Sequence, residues 1–190
     1  MAGVKMAVSV ESDEWKRALE QLSGKVSAIR PVLLSVGEYV LGQTLERFRK
    51  QTAPDGSRWK RVEPRYWRKK KVKKILTESS RLRESINYRV VGDRVLIGTN
   101  LRYAAIHQLG GEIDVPAQTR TAKRGTKGKN KGRFMVGTTK AKHAISSTFT
   151  IPAHKVRIKP RPFLGLPDKE REHVRDLVRE YLNRSLSGGQ

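Results

Sequence analysis

The sequence predicts an α+β fold: a small antiparallel sheet packed by one long helix and a C-terminal helix, with a long basic loop insertion. Three observations predict it. Residues 86–97 alternate apolar and polar side chains on either side of Gly92-Asp93, the pattern of a β-hairpin. Two segments, 31–51 and the stretch after Pro167, carry apolar residues at helical spacing. The predicted order is one strand, three helices, two strands, a loop, further strand and a last helix. All of this fits one domain over residues 1–190, with residues 112–150 inserted as the basic loop.

Val4, Met6, Val8 and Val10 alternate with small or polar residues and predict a first strand with one buried face. Ser12 then suits the cap of a helix that has Asp13 and Glu14 in its first turn and Trp15, Leu19 and Leu22 as its stripe. The long helix is predicted to start near Pro31, since proline is tolerated in a first turn, and to run to about Gln51. Leu34, Gly37, Leu41, Leu45 and Phe48 form its expected core face, with Leu33, Val40 and Thr44 beside them; Val32, Val36 and Tyr39 point the other way. A helix apolar on two sides needs a second cover, either another element of the chain or a neighbouring subunit. For the second case Leu34, Val36 and Tyr39 are the contact candidates.

Pro54-Asp55-Gly56 predicts a turn, and residues 79–85 a short helical turn before the hairpin. In the hairpin Ile86, Tyr88 and Val90 share one face with Val95 and Ile97 opposite. Residues 148–153 and 156–158 read as strands, and RPFLGLP as a turn into the last helix, whose face is Val174, Leu177, Val178, Tyr181 and Leu182.

Charge is unevenly spread. The chain has 41 Lys and Arg against 18 Asp and Glu, a net charge of +23. Residues 58–74 hold ten basic side chains against Glu63 alone, and residues 120–142 hold nine with no acidic one. The first patch includes Tyr66 and Trp67 with Arg68, Lys69, Lys70 and Lys71. The second includes Lys123, Arg124, Lys127, Lys129 and Lys131 in a Gly/Lys/Thr-rich run expected to be a mobile loop. Such patches suit DNA or an acidic protein partner, and equally a solvated face. DNA binding through them would be salt-sensitive and indifferent to sequence.

No catalytic constellation emerges. The four histidines lie at no spacing that suits a metal site, GTKGKNKG lacks the order of a phosphate loop, and there is no cysteine. The expectation is no enzyme, no metal and no cofactor. With no leader-like N-terminus and no apolar run near the roughly 20 residues of a membrane span, a soluble protein made in a cytoplasm is expected. The stretch YAAIHQLGG, residues 103–111, reads as a structural corner. There Tyr103, His107, Gln108, Gly110 and Gly111 turn the backbone and tie loop amides and carbonyls together. Pro162, Phe163 and Leu164 are expected to anchor the last helix.

Several of these motifs occur together in one known order. Phe48, Gln51 and PDGSRW, then ILTESSRLRESINYRVVGDRVLIGTNLRYAAIHQLGG, then RPFLGL before a final helix, resemble the phage virion morphogenesis family. These are tail completion proteins of tailed phages and prophages, Mu-like and P2-like ones included. The resemblance covers residues 44–111 and resumes over 151–182. It departs at Ser80, where the family often has glycine, and at residues 112–150, which are longer and more basic than the usual connection. The resemblance implies a structural virion protein that completes the head-proximal end of the tail and joins it to a DNA-filled head. It implies a homo-oligomeric ring, six-fold to match the tail tube, at the neck of the virion, assembled in the host cytoplasm. Its partners would be connector, neck or tail terminator proteins, with non-specific contact to packaged DNA and none to membrane.

Overall fold

A computed structural model of the chain describes residues 3–8, 26–125, 134–135 and 144–187. The helix expected after Ser12 lies outside them. The chain divides into two compact units, Met1–Gly110 with Lys159–Gln190, and Gly111–Ile158.

The first unit has a three-stranded antiparallel sheet in which β3 (Arg94–Thr99) is central, between β1 (Val4–Val8) and β2 (Asn87–Val91). The hairpin register pairs Val90 with Val95 and Val91 with Arg94, leaving Gly92-Asp93 as a two-residue turn with Gly92 at φ +60°. The sequence reading of the hairpin and the first strand holds. Helix α1 (Val26–Lys50) packs against β2, β3 and the C-terminal helix α5 (Asp168–Ser187), so its second cover comes from the same chain. It begins one turn and more before Pro31, which sits inside it and forgoes a single ladder hydrogen bond. Short helices α2 (Pro64–Lys69), α3 (Arg81–Glu84) and α4 (Ala104–Leu109) stand along the connections. No described helix is long and apolar enough to cross a membrane.

The core corrects the expected helix face. Val32, Leu33, Val36, Val40, Thr44, Arg47 and Phe48 are buried, whereas Leu34 and Leu45 are exposed. A helix packed by both a sheet and a second helix uses a wide arc, and that arc runs through Val36 and Arg47 rather than through Leu34 and Leu45. Where α1 meets β2 the approach is close: a Cβ on Gly37 would lie 2.2 Å from the Tyr88 ring. The same core takes in Ile86, Val95, Ile97, Phe163, Val174, Val178 and Leu182.

The second unit corrects the expected loop. Strand β4 (Gly111–Val115) pairs with β8 (His154–Ile158), and β5 (Gln118–Gly125) pairs with β7 (Ala144–Ile151), with β6 (Phe134–Met135) along β5. Gly111 faces Ile158, Val115 faces His154, Gln118 faces Ile151 and Gly125 faces Ala144. One constant register therefore runs through both ladders, and they are one long antiparallel ribbon with a short break. The break falls at Pro116-Ala117 and Pro152-Ala153, where two prolines lack the N–H a ladder needs.

Candidate functional site

The motifs that carried the sequence reading meet in the first unit, around residues 161–166. This segment is irregular and partly buried, so its peptide groups need partners from elsewhere. They find them. Gln108 Oε1 accepts from Phe163 N at 3.0 Å and Leu164 N at 3.1 Å, while Gln108 Nε2 donates to the Leu164 carbonyl at 2.8 Å. Arg47 Nη1 donates to the carbonyls of Phe163 (3.1 Å) and Gly165 (3.0 Å). Trp59 Nε1 donates to the Pro162 carbonyl at 2.8 Å, and Arg161 N donates to the His107 carbonyl at 2.7 Å.

Side chains seal the same place. Phe163 is fully buried, its ring 5.4 Å from Phe48, which in turn meets Trp59 edge-on at 5.2 Å. The PDG turn closes over it: a Cβ on Gly165 would lie 2.5 Å from Pro54 Cγ. Arg47 also holds both carboxylate oxygens of Glu170 at 2.6 Å, which fixes the start of α5 against α1. Arg161 is buried with Nε on the Lys60 carbonyl at 2.8 Å, and burial lowers its pKa.

A second clamp of the same design sits at the end of α1. Gln51, at φ +62°, donates through Nε2 to the carbonyls of Phe48 (2.6 Å) and Ile75 (3.1 Å), and its Oε1 accepts from Ile75 N. In both clamps a glutamine amide takes the place of a strand partner for a passing chain.

At the corner, residues 103–111, two residues bond to the 161–164 segment. Gln108 ties the loop with its side chain, but His107 does so with its main-chain carbonyl. Its imidazole packs edge-on to Tyr103, ring centroids 5.9 Å apart, and Nδ1 is buried with no hydrogen-bond partner. Burial first, and then the Arg161 guanidinium, lower the imidazole pKa. Gly110 at φ +76° and Gly111 at φ +150° adopt backbone conformations that favour glycine. Tyr103 itself is exposed.

The other predicted residues are not gathered here. Val36 is 1% exposed within its own core and has no surface to offer a neighbour. Tyr39 is half-buried with its ring 4.3 Å from His173, and Leu34 keeps an exposed side chain. In the first basic patch Arg68, Lys69 and Lys71 are exposed, but Lys70 is paired with Glu78 at 2.5 Å. Trp67 is packed against the core with Lys73 Nζ 5.9 Å from its ring, so it is not free to stack on a base; Tyr66 is exposed. Lys123 and Arg124 fall in β5, while Lys127, Lys129 and Lys131 lie outside the described residues. Among the described residues no group of three or more His, Asp or Glu is placed to hold a metal. Sequence reasoning missed Arg47, whose one available signal was a lone arginine next to Phe48 on an otherwise apolar arc.

A turn whose polar groups are saturated by three other motifs is built to hold shape, which is the construction of a structural protein. The chain belongs to the phage virion morphogenesis family, whose family model matches residues 10–183. It is thus a protein of phage structure and assembly rather than a member of a known enzyme class. No curated protein and no solved structure matches it.

Proposed function

We propose that the chain completes the head-proximal end of a phage tail and joins it to the DNA-filled head, acting as a ring of copies at the neck. The observation that carries this reading is the convergence of the family motifs on one rigid clamp. PDGSRW, YAAIHQLGG and RPFLGL bond to each other through Trp59, Gln108 and Arg161, so they specify a frame. A joining protein needs such a frame to present contact surfaces at fixed angles. Leu34 on the open margin of α1 is the neighbour contact this reading retains, and the exposed Arg68, Lys69 and Lys71 face an acidic surface of a neck or tail protein.

Deleting the gene from its phage and viewing the lysate by electron microscopy tests the role. Full heads beside separate tails of finished length are expected. Normal infectious particles would overturn the proposal.

A further inference from the structure

The ribbon of the second unit divides chemically along its length. At its base Glu112, Asp114, Lys155 and Arg157 alternate with Ile113, Val115, Val156 and Ile158, and the charges balance. Lys155 Nζ lies 3.9 Å from a Glu112 carboxylate oxygen and 3.8 Å from one of Asp114. Beyond the proline break the composition changes completely: residues 115–151 contain nine Lys and Arg and no Asp or Glu.

In the distal ladder the register sets Thr119 opposite Thr150 and Thr121 opposite Thr148, with hydroxyl oxygens 3.5 Å and 3.4 Å apart. All four threonines are exposed, as is Ser146, which continues the row. Alternation puts the opposite face at Gln118, Arg120, Phe149 and Ile151, with Arg120 Nη2 donating to Gln118 Oε1 at 3.2 Å. Arg120 is exposed and Phe149 is 42% exposed. Lys123 and Arg124 hold the next register positions, opposite Ser146 and Ile145.

We infer that this distal ribbon, residues 118–125 with 144–151, is a sequence-neutral contact for the backbone of double-stranded DNA. Hydroxyls and cations are the side chains that bond phosphate oxygens. Over residues 118–122 and 147–151, before β6 joins β5 at Lys123 and Arg124, the ribbon is two-stranded, which fits the width of the B-DNA major groove. Five residues of ladder span about 17 Å, roughly five base-pair steps. The distal ribbon has hydroxyls at Thr119, Thr121, Ser146, Thr148 and Thr150 on one face and no carboxylate to enforce an orientation. That suits a polymer of uniform charge. The inference goes beyond the joining role, because it predicts binding by the isolated protein.

The test uses the full chain and a 30-base-pair duplex of arbitrary sequence, with affinity read by fluorescence anisotropy between 50 and 200 mM salt. Each lost phosphate contact flattens the log–log salt slope by about 0.9. The triple variant Arg120→Gln, Lys123→Gln, Arg124→Gln should therefore lose about 2.7 of slope, so that wild-type affinity falls about 40-fold further than the variant's over that range. Thr121→Val with Thr148→Val should weaken binding several-fold at unchanged slope, separating hydroxyl from charge. The variant Arg68→Gln, Lys69→Gln, Lys71→Gln tests the first basic patch as the rival DNA contact. Circular dichroism confirms that each variant is folded. The inference is overturned if the ribbon variants bind like wild type, if the loss follows the Arg68 set instead, or if polyglutamate of equal charge displaces the duplex.

Discussion

Ser80 carries a side chain at φ +56° and ψ −7°, immediately before α3. For an L-residue this left-handed conformation costs on the order of 1–2 kcal/mol, and glycine escapes most of it. The resemblance to the family pattern had flagged this position, where glycine is common, without giving a reason; the backbone supplies one. Ser80→Gly is expected to stabilise the first unit by about 1 kcal/mol, less whatever the added freedom of the unfolded chain takes back. Urea unfolding that shows a lower midpoint at constant slope would refute this. Arg47 shows the converse. In the sequence it is one more cation near the end of a basic helix. Its burial depends on Glu170, which lies 123 positions away, and no local pattern contains that information.

At the scale of elements, the two glutamine clamps explain how the motifs cooperate. Substituting Gln108 by leucine leaves the amides of Phe163 and Leu164 and the carbonyl of Leu164 without partners. Each unsatisfied buried group costs about 1–3 kcal/mol, so a loss on the order of 3–5 kcal/mol is expected, partly relieved by entering water. Leu109→Ala, one residue along but 77% exposed, should change stability by less than about 0.5 kcal/mol. Equal unfolding midpoints for the two variants would remove the clamp from the account. Hairpin β2–β3 was legible because burial on one face imposes period two and the Gly92-Asp93 turn fixes its ends. Of ribbon β5–β7 only residues 148–151 were legible as strand; β5 was not, since it is held by the backbone ladder and threonine pairs and buries little. Composition there reports only what is missing, and the segment reads as a loop.

At the scale of the molecule, the chain enters and leaves the second unit at paired residues, Gly111 and Ile158. Within the first unit the neighbouring positions are already tied, by the hydrogen bond from Arg161 N to the His107 carbonyl at 2.7 Å. Replacing residues 111–158 with a short glycine-containing turn should therefore leave the first unit folded, its thermal midpoint shifted by only a few degrees. Failure of that shortened chain to fold would mean that the ribbon is required by the frame. The α+β class and the hairpin could be read from the sequence, because one-sided burial marks each of them. The width of the α1 core arc could not, because it depends on which elements arrive from afar.

The unbroken register of the ribbon also limits how its length can drift over evolutionary time. A single codon gained or lost in one strand would exchange the two faces beyond that point and scatter the threonine row. Changes made in step on both strands, or confined to the tip, leave the row intact. The proline break offers a third place, since no ladder bond is lost there. Homologous ribbons should thus differ in length by matched increments, the two strands gaining or losing residues together.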